Sequence, residues 1–303
     1  MQEQHISLGE LGLSGTSGWE VEEGMRTSWY SLSWCRSWAD GMRSYLRLYG
    51  VFVKNCLAAS MEYRFNFWMG IAVEIAFLCA KALYILIVYQ TDLHIGNLTP
   101  DHILLFIGTY TMMTGLYMGL FYVNFIRLQQ YVRDGTLDLM LTKPISLQFL
   151  VSLRYVDIGL PIPNVIAGAV MIGIGWHRAN LPLDGNIFGF FILLLSALFV
   201  TYGIMLLPAL LAFRFVQTGA VTEIAHSIWD ANNMPLDIFP RWLQRIGVYV
   251  IPIFLISNYA PKFVLHELAA WDIVWAIAAP LLLLLITRWC WKRAVVGYSS
   301  AGS

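Results

Sequence analysis

Arg127–Leu150, RLQQYVRDGTLDLMLTKPISLQFL, stands between two long apolar runs and carries the charges and breakers that those runs lack. Asp134–Gly135 is a turn signal, and Lys143–Pro144 stops whatever follows it. Between them Leu137-Asp138-Leu139-Met140-Leu141 makes a short apolar knob with one charge. A short helix bounded by breakers moves as a rigid peg. Arg133, Asp134, Asp138 and Lys143 can make charged contacts with a partner surface, while Leu137 and Leu141 seat in a cleft. A solvated connector is the plainer alternative.

The apolar runs on either side set the class. The chain of 303 residues is 58% hydrophobic and only 13% charged, with a mean hydropathy of +0.63. A soluble domain is roughly 45–50% apolar and about 25% charged. Lipid is therefore a solvent for this chain. The net charge of zero implies no nucleic-acid partner. Cys35, Cys56, Cys79 and Cys290 show no metal-ligand spacing and are expected to be free thiols. The first 30 residues lack a basic segment followed by an apolar core, so no cleavable signal is expected.

Outward from the peg, the chain reads as an all-α polytopic membrane protein. Residues 1–36 are a Gly-, Ser- and Glu-rich tail. Over 37–66, Arg43, Arg47, Lys54 and Arg64 alternate with Leu46, Leu48, Val51, Phe52, Val53, Leu57 and Phe65, which predicts an amphipathic helix on a membrane surface. Spans are predicted near 67–89, 103–125, 155–176, 187–213 and 271–289, each close to the roughly 20 residues that cross about 30 Å of hydrocarbon. Gly159, Pro161 and Pro163 predict a break at the start of the third. The 127–154 loop carries Arg127, Arg133, Lys143 and Arg154, and the tail carries Arg288, Lys292 and Arg293, whereas loops 90–102 and 177–186 hold only Arg178. Both termini and the 127–154 loop are thus expected inside. Parity demands one more crossing between Arg214 and Trp271. Val216–Asn233 contains Glu223, His226 and Asp230; Ile246–Pro261 is short and contains Pro252. Residues alone leave that choice open.

RDGTLDLMLTKPIS (133–146), MPLDIFPRWLQ (234–244) and IPIFLISNYAP (251–261), in this order over about residues 40–295, resemble the membrane subunit of ABC-2 type (type V) exporters. Six-span permeases of that class pair with a separate ATPase. The resemblance implies six transmembrane helices over 67–295, a coupling helix within 127–150, Val216–Asn233 as the fifth span, and an outer re-entrant hairpin over 235–267, followed by a tail at 296–303. It implies a non-catalytic subunit in the cell membrane. The permease would pair with a second copy, identical or related, and with two ATPase subunits that bring the ATP and magnesium. Pro235, Pro240, Trp242, Pro252, Asn258 and Pro261 would shape an outer gate, and Arg133, Asp134, Gly135, Leu137, Asp138, Leu141, Lys143 and Pro144 would receive the ATPase.

The polar residues inside spans are the remaining candidates, because charges within a membrane cost several kcal/mol and face protein or water. Glu74 and Lys81 lie roughly 10 Å apart along one helix face. They either line a route or pair with neighbouring helices. Glu223, His226 and Asp230 follow an i, i+3, i+7 stripe, which suits a polar lining, structural pairing or a proton relay; one helix offers too few ligands for a metal. Gly115 and Gly119 form a GxxxG pair, suited to packing within the chain or to a dimer seam. Arg154 and Asp157 are spaced for an ion pair. The chain has no GxxxxGK[ST], HExxH or GxSxG. Two rivals to the exporter stand at this point: a proton-coupled transporter using Glu223, His226 and Asp230, and a membrane-embedded enzyme acting on lipid.

Overall fold

A computed structural model of the protein describes residues 29–62, 64–95, 98–215 and 219–298. Its regular elements there are all helical. Two compact units divide within the first helix, between Asn55 and Cys56. Helix α1 runs Trp29–Glu62, so it begins eight residues before the predicted 37; the rest of the predicted tail, 1–28, lies outside the described residues, as do 299–303 of the C-terminal tail.

In the second unit α2 spans Arg64–Gln90. Helix α3, Pro100–Tyr117, starts where Thr99 caps it and Pro100 takes the first helical position, where a missing N–H costs nothing. It runs through a π-helical turn, Met118–Tyr122, into α4, Val123–Arg133. Short α5 (Thr136–Leu141) and α6 (Leu147–Leu153) follow. The chain then leaves helical geometry until α7, Pro161–Arg178, which is the break that Gly159, Pro161 and Pro163 predict. Helix α8, Asn186–Ala209, ends in a 3-10 turn at Leu210–Phe213. After α9 (Gly219–Asp230) come the short α10 (Arg241–Arg245) and α11 (Tyr259–Val264), and α12, Ala270–Val296, closes the fold. Cys56, Cys79 and Cys290 are free thiols, and the Cys35 side chain lies outside those described.

Four helical stretches among the described residues are long and apolar enough to cross a membrane: Arg64–Gln90, Pro100–Arg133, Asn186–Phe213 and Ala270–Val296. Helix α7 is less apolar, because it opens on Pro161, Pro163 and Asn164 and ends on His177 and Arg178. Among the described residues, neither candidate for the remaining crossing forms one long helix. The 12 residues of α9 rise only about 18 Å, and 246–261 breaks into a π turn, a 3-10 turn and the start of α11 around Pro252.

The seam between α3 and α7 organises the core. A methyl at Gly108 would stand 2.8 Å from the backbone nitrogen of Ile172, and one at Gly168 would stand 2.6 Å from that of Met112. The two backbones touch because glycine leaves no side chain between them. Gly115 and Gly119 belong to the same seam: a methyl there would meet Asn164, Val165 and Pro161 of α7. The GxxxG pair therefore serves packing within the chain, and not a seam between copies.

Helix α8 joins α12 at Gly203, where a methyl would stand 3.2 Å from Leu283. The outer faces of α2 and α12 remain apolar, with Phe65, Trp68, Phe77, Leu83, Trp271, Leu281, Leu285 and Trp289 all exposed. Such faces suit hydrocarbon. At one end of the bundle Arg178 lies 5.0 Å from the Tyr89 ring, and Leu265 packs with Val88 and Leu98. The basic 127–154 segment lies at the other end, where α4 finishes. The loops poor in Lys and Arg are thus gathered at one end, as their composition predicts.

Candidate functional site

The peg forms as its breakers require. Gly135 takes the left-handed conformation with φ 70°, and the Asp134 amide caps α4 on the Gln130 carbonyl at 2.8 Å. Only six residues of helix follow before Thr142 and the exposed Lys143–Pro144. Arg133 and Asp134 pair at 3.4 Å on the surface, and Asp138 is half-buried.

The expectation that Leu137 meets a partner is corrected. Leu137 is 0% exposed, with Met140 at 2%, and α5 packs through this side on α4 and α6. Leu139, 68% exposed, and Leu141, 44%, face outward. A six-residue amphipathic helix must seat its i and i+3 positions on its own chain to be held at all. The apolar contacts left for a partner are therefore Leu139 and Leu141, flanked by Arg133, Asp134, Lys143 and Pro144.

Behind the peg is an elbow that sequence reading missed. Residues 154–160 lack helical hydrogen bonds, and neighbouring elements supply them. Asn124 on α4 donates from Nδ2 to the Tyr155 carbonyl at 2.6 Å and accepts from the Tyr155 amide at Oδ1, 2.9 Å. The Asp157 amide donates to the carbonyl of Gly119, inside the π turn, at 3.1 Å. The Val156 amide donates to Cys56 Sγ at 3.4 Å. π turns recur at functional sites, and this one presents a carbonyl to the elbow. Arg154 and Asp157 do not form the expected ion pair. The helix stops at Leu153, so their i, i+3 relation is lost; Arg154 lies over the Tyr155 ring and Asp157 accepts from the Gly159 amide at 2.9 Å. A lone Asn within the apolar run GLFYVNFI was the legible signal for Asn124.

A second polar junction lies beside the elbow. Gln148 donates to Tyr202 at 2.9 Å, Ser152 lies 3.1 Å from the same hydroxyl, and Arg288 donates to Gln148 Oε1 at 2.5 Å. It ties α6, α8 and α12 together next to the peg.

Glu74 and Lys81 pair with neighbouring helices and not with each other. Glu74 is buried and accepts from Asn164 Nδ2 of α7 at 2.6 Å. Lys81 donates to Thr111 Oγ1 of α3 at 3.3 Å and lies 5.2 Å from the Tyr110 ring. The stripe on α9 is divided. His226 is half-buried, 5.4 Å from the Tyr122 ring and 6.3 Å from that of Tyr117, while Glu223 and Asp230 are exposed. Among the described residues no group of three His, Cys, Asp or Glu side chains is placed to hold a metal.

Segment 235–267 is tied to itself, and to Asn232 just before it, by polar side chains. Asn258 accepts from the Leu236 amide at 2.8 Å, and Ser257 donates to Asn232 at 3.2 Å. Lys262 pairs with Asp237 at 2.8 Å. Pro235 and Pro240 precede the turns at Leu236–Ile238 and α10, Pro252 precedes the 3-10 turn at Ile253–Leu255, and Pro261 lies buried in α11. Ile256 and Ser257 are 0% exposed, whereas Trp242 is exposed at 64%.

The long apolar helices and the all-helical fold define a multi-pass membrane protein. Residues 75–302 match the model of the family described as ABC-2 family transporter protein, and the chain belongs to that family: it is an ABC-2 type permease. Comparison with curated proteins and with solved structures gives no match. Permeases of this family work with an ABC ATPase.

Proposed function

We propose that this chain is the transmembrane subunit of an ATP-driven exporter in which two permease copies form the pathway and two ATPase subunits dock on the α5 pegs. The observation that carries the reading is α5 itself, a peg held rigid by Leu137 and Met140 and presenting Leu139 and Leu141 outward between charged residues. The chain has no phosphate loop, so the work comes from the partner, which binds ATP and magnesium. Closure of the ATPases moves the peg, and the Asn124 clamp on Tyr155 passes the movement to the start of α7.

In this reading α1 lies on the inner membrane surface, both termini are cytosolic, and α9 with 235–267 completes a six-span topology with a re-entrant outer hairpin and gate. Glu223 and Asp230 support a polar pathway along α9: both are exposed on a helix that packs against the Pro100–Arg133 stretch through Trp229 on Tyr117 and His226 on Tyr122, and uncovered carboxylates are costly within a membrane. The cargo class that suits apolar spans is a hydrophobic or amphipathic small molecule, lipid or peptide.

The test is co-expression with a phosphate-loop ATPase encoded beside the chain. Asp134→Arg with Leu139→Asp is expected to abolish co-purification and permease-dependent ATP hydrolysis while the permease keeps its elution profile. An intact, active complex carrying both changes would refute the docking assignment.

A further inference from the structure

On α1 the residues Arg43, Arg47, Gly50 and Lys54 follow i, i+4, i+7, i+11, which places them on one line along the helix, within an arc of about 60°. All four are exposed. The helix between Gly41 and Met61 contains no acidic residue, so these three cations are its only charges. Gly50 lies between Arg47 and Lys54, and a methyl there would meet nothing within 4 Å. The line is therefore two cationic ends with an open notch of bare backbone between them. Phe52 falls on the opposite side of the helix, and Leu46, Val51, Val53 and Leu57 flank the line, with Leu46, Val51 and Leu57 exposed.

We infer that this line binds anionic lipid headgroups, with Arg47 and Lys54 holding a headgroup phosphate over Gly50. Charge decides the occupant. A zwitterionic headgroup brings its own cation to the surface and gains little from three more, whereas an anionic headgroup brings none. The apolar flanks bury beside the same lipid, and long Arg and Lys stems reach up to the phosphate level. The inference rests on the proposed placement of α1 at the membrane surface.

The test uses the full chain with its cysteines replaced by serine, a bimane label at Ala58→Cys one turn beyond Lys54, and reconstitution into phosphatidylcholine vesicles with and without phosphatidylglycerol. Nitroxide-labelled lipids of each type are the quenchers. Phosphatidylglycerol is expected to quench more than phosphatidylcholine, with an enrichment of about fivefold per charge at low ionic strength. The enrichment should vanish in 1 M salt, where the screening length falls to about 3 Å. Arg43→Gln/Arg47→Gln/Lys54→Gln should abolish it, and Gly50→Leu should reduce it with the charge intact. Equal quenching by both lipids in the unaltered chain, or an enrichment that survives the triple change, overturns the anionic site. Absence of quenching by either lipid strikes instead at the surface placement of α1, and with it this inference.

Discussion

Replacing Gly168 with alanine should loosen the α3–α7 seam, and the size of the effect follows from the geometry. The new methyl would stand 2.6 Å from the Met112 nitrogen and 2.8 Å from both the Gly108 oxygen and the Met112 Cα. All of these are backbone atoms, so no flexible side chain can swing aside. Ordinary contact begins at 3.4 Å, so the helices must part by about 0.8 Å, and a gap of that size forfeits roughly a quarter to a half of each contact's attraction. Overpacking of this kind costs about 1–3 kcal/mol. Alanine returns up to about 1 kcal/mol through its higher helix propensity. Gly173 is the internal control. It lies on the same helix with nothing within 4 Å, so Gly173→Ala carries the propensity gain without the clash. Thermal unfolding of the detergent-solubilised protein should show Gly168→Ala melting about 1–3 °C below the parent, since an unfolding entropy of about 2.1 cal/mol/K per residue makes each kcal/mol worth roughly 1.6 °C in a chain of this length. Gly173→Ala should match the parent or exceed it. Equal midpoints for the two variants, or a Gly168→Leu protein as stable as the parent, would refute the contact between backbones.

The remaining predictions follow from single contacts. Asn164→Leu should lower the same midpoint, because it strands the buried Glu74 carboxyl at a cost of about 1–3 kcal/mol, whereas Glu74→Gln, which keeps an acceptor for Asn164, should cost less. Asn124→Leu removes both hydrogen bonds to Tyr155, and faster amide exchange at Tyr155 relative to α3 is the expected readout. Leu137→Asp should destabilise the chain itself, since it buries a charge at a fully enclosed position; Leu139→Asp should leave the midpoint unchanged, which separates folding from docking at the peg.

The peg was legible because its signals are local. Asp134–Gly135 and Lys143–Pro144 act on the backbone within a few residues, and the structure places α5 between them. The break before α7 was legible for the same reason. Which leucine of the peg faces outward was not, since that depends on α4 and α6, which close over Leu137 from one side. The elbow was hidden because its hydrogen bonds join residues far apart in the chain: Asn124 with Tyr155, Gly119 with Asp157, Cys56 with Val156. Spacing suggested an Arg154–Asp157 pair on the assumption of a continuous helix, and the chain leaves the helix there.

The amino-acid sequence by itself determined that the chain is helical and lipid-embedded, where its long apolar helices lie, and where breakers interrupt them. Hydropathy and backbone chemistry act over a few turns and need no partner to be read. Only the tertiary structure decided that Gly108, Gly115, Gly119 and Gly168 bring α3 and α7 into backbone contact, that Glu74 and Lys81 answer to different helices, and that His226 turns inward while Glu223 and Asp230 do not. Those outcomes depend on which helix packs against which, and a one-dimensional pattern carries no distance between its distant parts.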